Sequence, residues 1–433
     1  MGREQRRRAE REQRRRARKA TPPAATAQSR AVAPPSMPEA LLREAHRAGP
    51  RPAAARPRPG PAPLGAPTPP PPPPTLTVAS SLRATQANCG PVEGLDPQAL
   101  GVTLTFDAPP DGDPYPLTVR FLGVRTGATN PPAPGDTFDV VDTLNRVVPG
   151  SGSVSVTRRI EGVTPGEWTV QARPVADPAG RPVPEPAQVG VSTGYAPLVR
   201  VRAPGVRIGA WPALVGTGAA AALVLQGLLV SRFGLPAGPV LALSLVACLL
   251  GLAGARLYYR LEHPRKPGMP APSSGMCIQG FVLAAVGTVV VGALLLGIPV
   301  GRLLDVTAPG LMAGMAIGRV GCFFGGCCAG RPTASRWALW SSDRRLGVRR
   351  IPTQLFESAL ALLIGSVTFA VLSFTDADPA GAVFVAAVAA YTFGRQLLFP
   401  LRSLPRNTRH GRSLVMLSTA LAFGAAGLAL LAW

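Results

Sequence analysis

IGAWPALVGTGAAAALVLQGLLV, residues 208–230, carries no charged side chain. Its length matches the ~20 residues that an α-helix needs to cross a bilayer. A run of Ala, Leu, Val and Gly also has no polar face to turn toward water. From here to the end the pattern repeats, with further apolar segments at about 237–258, 277–300, 307–326, 352–373, 380–398 and 414–433. Residues 204–433 are therefore expected to form a polytopic α-helical membrane domain of about seven transmembrane helices. The fourth segment is Gly-rich and carries Arg319, which suggests a re-entrant or broken helix. The last runs to Trp433, a ring suited to the membrane interface.

Upstream of residue 204 the period changes. Val102-Thr103-Leu104-Thr105-Phe106, Leu117-Thr118-Val119-Arg120-Phe121, Val154-Ser155-Val156 and Trp168-Thr169-Val170-Gln171-Ala172 alternate apolar with polar residues between Pro/Gly-rich breaks. Period two with such punctuation predicts a small β-sandwich over residues 76–203. Pro165-Gly166-Glu167-Trp168 resembles the turn-into-strand of immunoglobulin- and fibronectin-like domains. Residues 1–75 are different again. The first 19 hold ten Lys/Arg and three Glu, and a proline run occupies 69–74. This composition predicts a disordered basic tail and an extended spacer. No apolar core follows the arginines, so a secretory or twin-arginine signal is not expected. Arg-rich runs suit anionic lipid or nucleic acid, and a solvated tail with no nucleic-acid partner is the expectation. The formal charge of +22 over 433 residues and the 46% hydrophobic content average over these unlike parts.

Four polar clusters interrupt the apolar half, the last of them in two parts. Gly254-Ala255-Arg256-Leu257 ends the second segment, and Ser274-Gly275-Met276-Cys277-Ile278-Gln279-Gly280 opens the third. Gly318-Arg319-Val320-Gly321-Cys322-Phe323-Phe324-Gly325-Gly326-Cys327-Cys328 closes the fourth. Pro352-Thr353-Gln354-Leu355-Phe356-Glu357 opens the fifth, and Tyr391-Thr392-Phe393-Gly394-Arg395 closes the sixth. A charged side chain at bilayer depth costs at least ~3 kcal/mol on insertion scales, which makes Arg319 a functional candidate. Arg256 and Arg395 have a second reading, as residues snorkelling from helix ends. Gln354 and Glu357 have one too, since Glu in a first helical turn complements the dipole. The three cysteines read as small packing residues, as thiols activated by nearby arginines, or as metal ligands with Cys277 as a fourth. Zinc sites usually show paired Cys-x2–4-Cys spacing from two separate knuckles, a pattern this stretch does not have, so no metal is expected. Six cysteines scattered in this way are not a disulfide framework.

In this order the clusters resemble the prolipoprotein diacylglyceryl transferase family. That family carries Gly-Ala-Arg-Leu, Gly-Met-Ser-Phe-His-Gly-Gly, Gly-Arg-x-Gly-Asn-Phe, Pro-Ser-Gln-Leu-Tyr-Glu and Tyr-x-x-x-Arg. The resemblance covers about residues 205–433. It implies a transferase of the bacterial plasma membrane that moves a diacylglyceryl group from phosphatidylglycerol to a cysteine thiol of a lipoprotein precursor, with no cofactor. It places Arg319, Arg395, Gln279 and Cys322 at catalytic positions. Arg256, Gly318, Gly321, Cys327, Gln354, Glu357 and Tyr391 fall at substrate-binding ones. Two arginines suit the phosphate, because guanidinium forks match its oxygens and stay charged when desolvated. The chain departs from the pattern at four places. The family histidine falls on Gln279, which cannot take a proton at neutral pH. The signature asparagine falls on Cys322, the acidic residue five positions on falls on Cys327, and the closing glutamate falls on Phe399.

Loop charge and resemblance disagree over orientation. The loops after segments two, four and six carry about fourteen Lys/Arg, against little more than Arg232 and Arg302 in the opposite loops. The positive-inside rule puts the charged side in the cytoplasm, whereas the resemblance puts the active site at the outer leaflet. Two other functions fit the same residues. One is a catalytically lapsed, lipid-binding anchor that displays the β-domain, and the other is a transferase with the same donor and another acceptor.

Overall fold

The computed structural model describes residues 77–85, 90–92, 94–175, 180–263, 275–403 and 410–432. The expected tail over 1–75, Cys89 and Trp433 lie outside the described residues. Among the described residues seven strands of five or more residues build the N-terminal β-domain: β1 (Ser80–Ala84), β2 (Gln98–Asp107), β3 (Tyr115–Arg125), β4 (Thr137–Val147), β5 (Ser153–Glu161), β6 (Glu167–Pro174) and β7 (Ala187–Ser192). One sheet has β1 and β5 on either side of β2, and the other runs β4-β3-β6-β7. All pairings within these two sheets are antiparallel. This is the two-sheet architecture of immunoglobulin- and fibronectin-like domains. Between the sheets lies one core containing Leu100, Leu104, Leu117, Phe121, Val156, Trp168 and Val170. Strand β3 buries Tyr115, Leu117, Val119 and Phe121 and turns Arg120 outward to pair with Asp139. Strand β2 is buried on both faces, against the alternation of its sequence. A short helix, Ala196–Val201, covers part of its outer face through Ala196 and Val199 on Ala99. There Thr103 is satisfied by the hydroxyls of Thr85 and Thr157.

The membrane half contains α1 (Ala210–Val230), α2 (Ala237–Glu262), α3 (Ile278–Leu295), α4 (Val300–Gly325), α5 (Thr353–Phe374), α6 (Ala382–Leu398) and α7 (Gly411–Ala432). Six are long and apolar enough to cross a membrane, and α3 is a shorter apolar helix. The segment expected to be broken or re-entrant is instead one continuous helix that begins at Val300 and passes through Pro309. Small residues explain how it packs. A Cβ on Gly218 of α1 would stand 2.9 Å from the carbonyl oxygen of Gly314, and one on Gly310 would strike the carbonyl of Ala222. Close backbone approach of this kind is how helices associate where lipid removes the hydrophobic drive. Gln226 of α1, buried in this seam, donates to Thr307 Oγ1 of α4 at 2.7 Å.

Two loop systems finish the ends of the bundle. At the end away from the β-domain, the buried carboxylate of Asp305 accepts the backbone N–H groups of Gly381 at 2.6 Å and Phe384 at 2.9 Å. It caps the α6 N-terminus from a neighbouring helix. Arg302 and Arg232 are also occupied there, on Asp378 and on the Leu372 carbonyl. At the other end, the α4–α5 connection forms a hairpin, β8 (Leu339–Ser342) and β9 (Leu346–Arg350). Strand β9 pairs with β5 through Leu346↔Val156 and Gly347↔Ser155, so the hairpin extends the first sheet of the β-domain. Arg345 pairs with Asp142, Trp340 Nε1 donates to the Ser153 carbonyl at 2.9 Å, and Arg159 donates to the carbonyls of Val199 and Arg344. The β-domain is thus sewn to a loop of the membrane domain as well as joined to α1.

Candidate active site

At the β-domain end of the bundle, α5 turns three polar side chains at helical spacing toward α4. Gln354 Nε2 donates to the Cys327 carbonyl at 2.9 Å. Glu357 Oε2 lies 2.8 Å from Arg319 Nε. Ser358 Oγ donates to the Ala316 carbonyl at 2.7 Å. Spacing of i, i+3 and i+4 puts all three on one helix face. Helix α6 contributes Tyr391 and Arg395 one turn apart, and Arg319 Nε reaches the Tyr391 hydroxyl at 3.4 Å. A further cation, Arg402, comes from just beyond α6 and pairs with Glu357 Oε1. Its position is held by a bridge between its backbone and Gly330.

Glu357 and Arg402 are buried and Arg319 nearly so. Among the described residues Arg395 has no hydrogen-bond or ion-pair partner, yet it interacts electrostatically with Arg319, Arg402, Glu357 and Tyr391. Three guanidinium groups therefore surround one carboxylate, and a positive excess remains around Arg395. Uncompensated charge in a low-dielectric site is costly, so the cluster is suited to an anionic group that brings the balance.

Beside it, α4 ends in a left-handed cap at Gly326 (φ +67°), and Cys328 is left-handed as well (φ +56°). A non-Gly residue there costs on the order of 1 kcal/mol. The bend returns Cys327 and Cys328 toward Cys322, and the three Sγ atoms lie within 4.8 Å of one another. All three are free thiols. Hydrogen bonds from Cys322 and Cys327, then the charges of Arg319 and Arg402, pull Cys328 far below its ordinary range against its burial, while hydrogen bonds with Cys322 and Cys328, then burial, push Cys327 up.

The other sequence candidates fall outside this cluster. Gly318 faces open space, whereas Gly321 packs on Trp211 and Leu214 of α1, which is a helix-packing position. Arg256 and Gln279 lie on the α2–α3 hairpin, both exposed. No hydrogen bond or ion pair among the described residues joins either to Arg319. Gln279 Oε1 instead accepts the Cys277 thiol at 2.7 Å, which separates Cys277 from the other three cysteines. Arg402 and Ser358 belong to the site but lie outside every motif read in the sequence. Their signal was faint: an arginine after the apolar segment, and a serine one residue past Glu357.

A family model for prolipoprotein diacylglyceryl transferase matches residues 199–433, more than half of the chain. The chain belongs to the prolipoprotein diacylglyceryl transferase family. Several curated relatives carry the name phosphatidylglycerol–prolipoprotein diacylglyceryl transferase. One from Nostoc is 31% identical over 207 residues, 43% of this chain and 72% of that protein. One from Clostridium tetani is 25% identical over 227 residues, 50% of this chain and 87% of that protein. A third, from Dehalococcoides mccartyi, is 27% identical over 164 residues, 36% of this chain and 62% of that protein. The membrane domain and its multi-pass character thus go with a bacterial family of lipoprotein biosynthesis. Of the residues that the resemblance singled out, Arg319, Glu357, Gln354, Tyr391 and Arg395 come together at this end of the bundle.

Proposed function

We propose that the chain transfers a diacylglyceryl group from phosphatidylglycerol to a cysteine thiol of a lipoprotein precursor at the inner membrane. The observation that carries this reading is the Arg319–Glu357–Arg402 network with Arg395 beside it. Glu357 and Tyr391 hold Arg319 in place, and Arg395 takes the lipid phosphate. As the acceptor thiolate forms its C–S bond to the terminal diacylglyceryl carbon, the C–O bond breaks and glycerol phosphate leaves. The phosphate goes from one negative charge toward two, so cations fixed beforehand stabilise the transition state more than the ground state. Gly318 leaves room next to Arg319, and the exposed α2–α3 hairpin with Arg256 and Gln279 forms a flank for the incoming peptide.

The test is transfer from phosphatidylglycerol vesicles to a lipobox peptide by purified full-length protein. Arg395→Ala should lower turnover about 100-fold or more, the scale of losing one preorganised charge donor, with the helical content unchanged. Full activity in that variant overturns the assignment. Gln279 in the family histidine's place favours a second reading, a lapsed enzyme that retains phosphatidylglycerol. Lipid bound by the wild-type protein with no thioether product would establish that reading instead.

A further inference from the structure

We infer that Cys322, Cys327 and Cys328 form a three-thiolate zinc site whose fourth position receives the acceptor thiol. This rests on the transfer reading above and supplies what that reading lacks, a means of taking the thiol proton without the family histidine.

The argument begins with geometry. Zinc–thiolate bonds of about 2.3 Å in a tetrahedron set neighbouring sulfurs about 3.8 Å apart. The three Sγ atoms here are already within 4.8 Å of one another, so small side-chain rotations complete the set. Spacing alone argued against a metal, because Cys322 and Cys327 form a single Cys-x4-Cys pair with Cys328 adjacent and no second knuckle follows in the stretch. The fold removes that objection. Cys322 sits on the last turn of α4, and the left-handed residues Gly326 and Cys328 fold the chain back over it. A helix packed only by small residues has no need of a cysteine held in that conformation. The helix C-terminus, with its outward carbonyls, is also the end that favours a cation.

Charge points the same way. Three thiolates around Zn²⁺ carry one net negative charge, and the neighbouring arginines exceed Glu357 in number. A bare dication would be repelled here, whereas a zinc trithiolate is attracted. The cluster comprises three protein ligands among the described residues, and Cys277 is engaged with Gln279. Three protein ligands with an open position is the catalytic form of a zinc site. An acceptor R–SH that displaces water at that position loses its proton to solvent and binds as R–S⁻, since a coordinating thiol is deprotonated outright. That thiolate attacks the diacylglyceryl carbon, the C–O electrons leave with glycerol phosphate, and the neutral thioether product dissociates. No electron is gained or lost in the exchange.

The experiment uses full-length protein purified in detergent, loaded with Zn²⁺ and dialysed. Elemental analysis should find one zinc per chain, and Co²⁺ in its place should give thiolate-to-cobalt charge-transfer absorption. Cys328→Ser should lose both while keeping bound phosphatidylglycerol and helical content. Cys328→His should keep the metal with a shifted cobalt spectrum, which separates lost ligation from lost folding. Metal-free protein with three titratable thiols, or a disulfide among them, overturns the site. Zinc bound without lipid transfer leaves the metal site standing and sinks the transfer reading. Transfer at full rate in Cys328→Ser does the reverse.

Discussion

Glu357 is the residue on which the site turns. It is buried, it meets Arg319 with one oxygen and Arg402 with the other, and it sits on the same face of α5 as Gln354 and Ser358. Breaking a buried ion pair by deleting one partner typically costs about 3–5 kcal/mol, because the remaining charges stay desolvated. Glu357→Gln should therefore lower thermal stability as well as activity, and unfolding monitored by tryptophan fluorescence in detergent would check it. Double replacement with Arg402→Met should recover part of the stability without recovering transfer. The sequence made Arg319 conspicuous, since a guanidinium in an apolar run has few bland explanations. It did not reveal Arg402, because an arginine in a loop looks solvated until the fold buries it. Gln279 was conspicuous for the opposite reason, because the resemblance sets a histidine at its position, and the structure leaves it bonded to Cys277.

At the scale of elements, apolar length and period alone delivered the helices. The α4 segment was read as starting near residue 307 and as broken or re-entrant because it is Gly-rich and carries Arg319, whereas the helix starts at Val300 and takes in Asp305 as well as the glycines. Each has a structural use. Asp305 caps α6, while Gly310 and Gly314 let α1 approach. Gly314→Leu should separate α1 from α4 and move Trp211, which packs against Gly321 and Gly325. Since Arg319 lies between these contacts on the same helix, transfer should fall severalfold or more. A Gly314→Ala control, whose Cβ would stand 3.1 Å from the Gly218 carbonyl oxygen, should retain more of it. The β8–β9 hairpin was not legible. Its strands are short and arginine-rich, and what makes them strands is the free edge of β5, a partner nearly two hundred residues away. Alternation did reveal β2, β3, β5 and β6, although in β2 it implied one exposed face, which the structure buries under a helix that composition did not predict.

For the whole molecule, the β-domain, the β8–β9 hairpin, the arginine cluster and the three cysteines share one end of the bundle, and the C-terminal end of α7 lies at the other. The charge of the loops and the family resemblance assign these ends to opposite compartments. A reporter fused after residue 433 should show the C-terminus in the cytoplasm if the chemistry takes place at the outer leaflet. An external C-terminus would put lipid transfer on the inner face. The composition of the chain could not decide this, because arginines that serve as site and scaffold count equally with those that set topology.

The two residue pairs that join β9 to β5 carry one more implication. A sandwich tethered only at its C-terminal end would swing freely above the membrane, and evolution could exchange it like a bead on a string. Here the enzyme half supplies two strands of the β-domain's own sheet. Cutting the β-domain away would strip β9 of its neighbour and leave an open strand edge at the doorway of the site, the kind of surface on which chains stick to one another. The β-domain is better regarded as bound into the loop beneath it than as a passenger.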